Sequence, residues 1–117
     1  MQSKRDNKIK GNLGESKACE FLVGAGFEIM SRNFSCKLGE VDIVARKGSV
    51  IHFVEVKSRT DDFISGRYAV NIAKQRHIKN TANFFLARNG LMDKCFVSFD
   101  VVELTADKIE FLENCFY

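Results

Sequence analysis

One run of residues limits the folds open to this chain more than any other. Residues 50–58 read VIHFVEVKS, and nearly every position from Val50 to Val56 is apolar. Such a run predicts a strand at the centre of a sheet, covered on both faces. Glu55 and Lys57 interrupt it near its C-terminal end and point to the same face. Burying these charges costs several kcal/mol unless they pair or bind a metal. The strand end therefore predicts either a structural Glu–Lys pair or a functional site.

The flanking sequence supplies further elements around this strand. Strands are expected at residues 27–34, 40–45, 50–58, 96–104 and 109–116. Apolar periodicity predicts one helix over residues 12–25, with Asn12 and Glu15 as its N-terminal cap, and a second over residues 71–90. Residues 59–69 are polar and predict a loop. The order is α-β-β-β-α-β-β, and a helix on each side of one sheet gives a three-layer α/β domain.

The length of 117 residues suits one domain with one core. Residues 11–117 are predicted to form this domain, and residues 1–10 to form a flexible basic segment. Residues 1–10 lack the apolar stretch of a signal peptide, and no apolar run approaches the roughly 20 residues of a membrane helix. The four cysteines show no CxxC or zinc-type spacing. We therefore expect a cytoplasmic protein with reduced thiols and no membrane contact.

Charge is distributed unevenly along the chain, although the net charge is only +3. Residues 1–10 and 71–94 are basic, while residues 95–117 are acidic. A basic face on a nearly neutral molecule suits a nucleic-acid partner. A solvated helix face next to a charged tail explains the same pattern, so charge alone leaves the partner open.

Asp42 is the residue expected to complete the site. It lies on the preceding strand, and pairing across the turn near Gly48 brings it beside Glu55. Two carboxylates suit Mg²⁺ or Mn²⁺, with the backbone carbonyl of Val56 as a further ligand. Such a metal polarises a phosphodiester and activates water, and Lys57 would position or deprotonate that water. Without Asp42, E-x-K is a short and common motif that more often marks an ion pair.

Longer motifs surround these residues. Gly39–Asp42 (GEVD), followed by a turn and Phe53–Arg59 (FVEVKSR), resembles the PD-(D/E)xK, or restriction-endonuclease-like, superfamily. Over residues 11–117 the chain is more closely similar to the YraN family of uncharacterised bacterial proteins. This second resemblance is carried, in order, by the segments GNLGE, RNF, GEVDIVAR, FVEVKSR, VNIAKQ, FDVV and ENCF.

The resemblance implies a mixed central sheet flanked by helices, as in archaeal Holliday-junction resolvases. It also implies a metal-dependent nuclease acting on DNA, including branched or recombination intermediates. Asp42 and Glu55 match the metal-binding acids, and Lys57 matches the catalytic lysine. Glu15 matches an acid that the first helix aims at the site, although a helix cap explains it equally well. Ser98 departs from the family pattern, in which arginine is common.

Four further residues are candidates for nucleic-acid contact: Arg59, Arg67, Lys74 and Gln75. Lys74 opposes the helix dipole near the start of the second helix, which favours a phosphate nearby. The two arginines flank the loop after Lys57, where solvated charges are the default. His52 should face the other side of its strand as a core or edge residue.

Two other classes of protein fit the same sequence: a nucleic-acid-binding module of nuclease fold without catalysis, and a protein-interaction subunit. The first requires salt-dependent affinity for DNA. The second requires a large apolar surface patch. A homodimer is compatible with all of these, because an exposed edge strand offers an interface and cutting two strands favours two sites.

Overall fold

The computed structural model describes residues 4–58 and 71–116, with side-chain surroundings for residues 13–58 and 71–116. The described residues form seven elements: α1 (Lys4–Gly24), β1 (Glu28–Cys36), β2 (Gly39–Lys47), β3 (Val50–Ser58), α2 (Ile72–Arg88), β4 (Phe96–Leu104) and β5 (Ile109–Phe116). This order confirms the predicted succession of helices and strands. The loop predicted at residues 59–69 lies outside the described residues.

The five strands form one mixed sheet in the order β1-β2-β3-β4-β5. Neighbouring strands are antiparallel except β3 and β4, which run parallel. A parallel pair needs a crossover connection, and α2 lies between these two strands in the chain. The apolar run at residues 50–58 therefore forms the centre of the sheet, with two strands on each side.

Each face of the sheet packs against one helix. On one face, Phe85 of α2 belongs to a core that includes Val44 and Phe53. On the other, Leu22 of α1 belongs to a second core that includes Val54. Phe53 and Val54 are neighbours in β3, and adjacent strand residues point to opposite faces. The protein is thus a three-layer α/β domain, as predicted, and its architecture is consistent with a restriction-endonuclease-like fold.

The first helix begins earlier than predicted. It starts at Lys4, so Asn12 and Glu15 lie inside α1 and cannot form its N-terminal cap. The segment before Asn12 contains no proline and is rich in lysine and arginine, which favour helices, and the single Gly11 only weakens one. The boundary predicted between residues 10 and 11 falls within α1, while the flexibility of residues 1–10 stays a prediction.

The second helix agrees closely with its prediction. The side chain of Asn71 accepts a hydrogen bond from the backbone N of Lys74 at 2.9 Å, so Asn71 is the N-cap. Asn89 caps the other end, and Gly90 follows with a φ of 68°. This cap fixes the backbone at the start of α2, where Lys74 lies. Among the described helices, none is both long and apolar enough to span a membrane.

Candidate active site

Two carboxylates meet where the β2–β3 ladder ends. The register pairs Ile43 with Val54, and one further step sets Asp42 opposite Glu55. Asp42 Oδ2 accepts a hydrogen bond from the backbone N of Val56 at 2.8 Å. The side chain of Glu55 is only 4% exposed. Counting residues from the turn therefore predicted this juxtaposition correctly.

The surroundings of Glu55 disfavour its charged form. Burial raises the pKa of Glu55 to about 7, and the charge of Asp42 and a hydrogen bond with it act in the same direction. Lys74 opposes them through a hydrogen bond and its positive charge. A carboxyl group perturbed by burial and a second acid is typical of sites that bind cations or transfer protons.

Two lysines approach the same oxygen of Glu55. Lys74 Nζ lies 2.5 Å from Glu55 Oε2, whereas Lys57 Nζ lies 3.9 Å from it. Lys74 makes the direct hydrogen bond, and Lys57 is beyond hydrogen-bonding distance. The sequence placed Lys74 near a phosphate and did not predict its contact with Glu55. The contact depends on how α2 lies over β3, which residue spacing alone does not specify.

The two ammonium groups also affect each other. Burial lowers the pKa of Lys57, and the hydrogen bond and charge of Lys74 lower it further. Burial acts to lower the pKa of Lys74 as well, but its hydrogen bond to Glu55 and the nearby negative charges outweigh burial and raise it. Lys57 is therefore the lysine that releases its proton more readily.

Glu15 reaches toward Asp42 from α1, on the other face of the sheet. Glu15 is 8% exposed, and its Oε2 has no hydrogen-bond partner among the described residues. Arg32 Nη2 lies 3.9 Å from that oxygen. Burial raises the pKa of Glu15, a hydrogen bond with Asn33 lowers it, and the charge of Asp42 raises it. The charges of Glu15 and Asp42 thus interact, while the role of Glu15 as a further acid of the site stays a prediction.

The part of the chain that matches known proteins includes the residues of this site. The model of the uncharacterised protein family UPF0102 matches residues 14–104, which include every charged residue of the site described above. A UPF0102 protein of Caldicellulosiruptor saccharolyticus is 50% identical over 95 residues, covering 80% of each chain. The chain belongs to family UPF0102. This is the YraN-like family that the motifs predicted.

Other UPF0102 relatives match over nearly the whole chain. One from Lachnoclostridium phytofermentans is 39% identical over 112 residues, which is 95% of each chain. One from Campylobacter jejuni is 40% identical over 107 residues, which is 91% of this chain and 92% of the relative. The family name assigns no reaction to the site.

Of the remaining residues predicted for the site of this UPF0102 chain, some lie within the described structure and some do not. Gln75 is half-buried next to Lys74 in the first turn of α2. Arg59 and Arg67 lie outside the described residues. Sequence reasoning overlooked Arg32 as a site residue, although pairing of β1 with β2 sets it opposite Ile43, beside Asp42. The register of the β1–β2 hairpin could therefore have identified Arg32 from the sequence.

Open space adjoins the lysines of the UPF0102 site. A cavity of about 390 Å³ is lined by Glu40, Lys74 and His77, together with Gly39, Asn71, Ala73 and Ile78. A larger cleft of about 560 Å³ lies at the other end of β3, where Val50 and His52 contribute to its lining. Of these two cavities, whose lining residues all lie in the described part of the chain, the smaller one touches Lys74, which contacts Glu55.

The donor groups fit one kind of metal site. The described residues contain no group of three or more His, Cys, Asp or Glu side chains around one position. Asp42 and Glu55 are nevertheless adjacent, and Mg²⁺ typically binds one or two carboxylates and keeps several waters. Glu15 adds a buried oxygen that has no hydrogen-bond partner within the described part of the chain. Within the described residues, this donor set fits a hydrated Mg²⁺ or Mn²⁺ better than a metal enclosed by protein side chains.

A separate polar network lies toward the start of β3 and β4. Asp100 is fully buried, and its carboxylate contacts His52 Nδ1 at 2.5 Å, Ser98 Oγ at 2.5 Å and the backbone N of Asn114 at 3.0 Å. His52 is buried on the α1 face, as predicted for a core histidine. Ser98 Oγ donates to Asp100 Oδ1 within this network. The network joins β3, β4 and β5 and lies apart from the acids near Lys57.

Proposed function

We propose that this protein is a nuclease that hydrolyses DNA phosphodiesters with Mg²⁺ or Mn²⁺. The observation that carries the proposal is Asp42 opposite the buried Glu55, with Lys57 two residues further along β3. A structural ion pair between Glu55 and Lys57 does not need Asp42, whose charge raises the pKa of Glu55 and so disfavours its carboxylate. The unfavourable second charge is understandable if both acids serve a cation.

The roles follow from the contacts of each residue. Asp42 and Glu55 would hold the metal, which polarises the phosphodiester and supplies an activated water. The hydrogen bond from Val56 N orients Asp42. Lys57, with its lowered pKa, would accept a proton from the attacking water or offset charge in the transition state. Glu15 supports the pair as a further acid from α1.

DNA would lie across the first turn of α2. Lys74 and Gln75 are in this turn, and the cavity of about 390 Å³ is next to Lys74. We assign these two residues, with Arg59 and Arg67, to the DNA backbone. Branched or recombination intermediates are the substrate class that the resemblance to Holliday-junction resolvases favours. A homodimer would supply one site for each strand.

The proposal is tested by incubating purified protein with branched and linear DNA in Mn²⁺. We expect cleavage by the native protein and a loss of about 100-fold or more in Glu55→Gln and Lys57→Met. Glu110→Gln is the matched control, since Glu110 is an exposed acid paired with Lys108. Absence of cleavage, or equal cleavage by native protein and Glu55→Gln, would rule out catalysis at this site.

A second candidate is a DNA-binding module of the same fold without catalysis. The hydrogen bond of Lys74 to Glu55 favours it, because an ammonium already neutralises the buried acid. This candidate requires DNA affinity that falls steeply with salt and is unchanged in Asp42→Asn, with no Mn²⁺-dependent cleavage. Measuring binding and cleavage on the same preparations separates the two.

A further inference from the structure

Lys74 lies where the proposed metal would need to bind. Its Nζ is 2.5 Å from Glu55 Oε2, and the side chain of Glu55 is 4% exposed. A buried carboxylate requires a counter-charge at short range. Lys57, at 3.9 Å from the same oxygen, is too distant for a hydrogen bond. Lys74 is therefore the group that neutralises Glu55 directly.

The position of Lys74 is not favoured by its own helix. It lies in the first turn of α2, where the helix dipole disfavours a positive charge, and that turn has no acidic residue. Its contact with Glu55, on the sheet face that α2 covers, thus holds the ammonium in place. A cation that competes for Glu55 would remove this contact.

The structure also gives Lys74 room to leave. Its backbone N is fixed by Asn71, but its side chain is 41% exposed. The cavity of about 390 Å³ that it lines reaches toward Glu40 and His77. A flexible four-carbon stem can therefore swing the ammonium away from Glu55 while α2 stays capped.

We propose that Lys74 is a placeholder cation, which holds Glu55 in the metal-free protein and is displaced when a divalent cation binds. The inference rests on the proposed function, because it takes Asp42 and Glu55 as the metal site. It assigns Lys74 a positioning role before metal binding and frees its charge for the substrate backbone afterwards. An ammonium and a divalent cation repel each other, so binding of both at Glu55 Oε2 is disfavoured.

The direct test is Mn²⁺ affinity, measured by titration calorimetry on native protein and variants. We expect Lys74→Met to bind Mn²⁺ about 10-fold more tightly or better, since no ammonium competes, and Lys74→Arg to stay near the native affinity. Lys79→Met, a lysine of the same helix that lies over the Phe116 ring, should leave affinity unchanged. Equal or weaker binding by Lys74→Met overturns the inference.

The loss of any positive charge near Glu55 should also raise the affinity for Mn²⁺. The Lys57→Met variant measures this general electrostatic effect. We expect a smaller gain from Lys57→Met than from Lys74→Met, because Lys57 makes the longer contact. Equal gains would mean that Lys74 acts only through its charge and would overturn displacement.

A measurement on the native protein keeps the inference testable if Lys74→Met does not fold. The NMR signal of the Lys74 ammonium, assigned with Lys74→Arg, should be protected from solvent exchange without metal and lost in saturating Mg²⁺. Its persistence in Mg²⁺ would contradict displacement. If native protein binds no Mn²⁺ and Glu55→Gln changes nothing, the proposed function fails too. If Glu55-dependent binding remains but Lys74 does not respond, only the placeholder role fails.

Discussion

At the scale of single residues, Glu55 is an acid in a position that resists ionisation. Its pKa is raised to about 7 by burial, with Asp42 adding to the effect, against an ordinary value of 4.5. The folded protein therefore binds a proton that the unfolded chain releases between these pH values. Stability from this proton is fully present below about pH 4.5 and is lost as pH rises through about 7.

The replacement of Glu55 by glutamine should remove this pH dependence. We expect native protein to lose about 1–3 kcal/mol of unfolding free energy between pH 5 and pH 8 relative to Glu55→Gln. Urea unfolding of both proteins at the two pH values measures the difference. Parallel pH profiles would show that Glu55 ionises normally in the folded state.

Lys57 allows proton transfer to be separated from simple positive charge. Arginine keeps the charge but cannot release a proton near neutral pH. If Lys57 acts as a base, Lys57→Arg should reduce Mn²⁺-dependent cleavage about 100-fold or more while DNA affinity stays native. Full activity in Lys57→Arg would assign the residue to electrostatic stabilisation instead.

At the scale of elements, Asp42 closes the β2–β3 ladder with its side chain. Its Oδ2 accepts from Val56 N, one position beyond Glu55. Asp42→Asn can keep this hydrogen bond through its amide oxygen, whereas Asp42→Ala cannot. We expect Asp42→Ala to lose about 1–2 kcal/mol of stability and Asp42→Asn much less, with both losing Mn²⁺ affinity. Native Mn²⁺ affinity in Asp42→Asn would exclude Asp42 as a ligand.

Elements differed in how far residue patterns could predict them. The pairing of β2 with β3 could be predicted from the sequence, because a short turn at Gly48 sets the register. This register places Asp42 beside Glu55. The start of α1 could not be predicted in this way, because the spacing of Asn12 and Glu15 resembles a helix cap even inside a longer helix. The contact of Lys74 with Glu55 depends on helix packing over the sheet, which no local pattern encodes.

At the scale of the whole molecule, the two ends of β3 have different tasks. Its C-terminal end holds Glu55 and Lys57 on the α2 face, whereas His52, nearer its start, belongs to the buried Asp100 network on the α1 face. The network joins three strands through one carboxylate, while the acids at the opposite end place like charges together. The stability of the domain and the chemistry of its site should therefore respond separately to substitution.

Asp100→Asn tests this separation. Asparagine has one acceptor oxygen for a carboxylate that contacts three polar groups, so we expect a loss of about 2–4 kcal/mol in unfolding free energy. Mn²⁺ affinity of the folded variant should remain native. The loss of Mn²⁺ affinity in a folded Asp100→Asn protein would instead couple the two ends of β3.

The most direct measurement is a crystal structure of the protein soaked in Mn²⁺, with anomalous diffraction to locate the metal. We expect an anomalous peak between Asp42 and Glu55, with Lys74 turned away from Glu55. An absence of any peak there at saturating Mn²⁺, with Lys74 still bonded to Glu55, would contradict the metal site and the nuclease built on it.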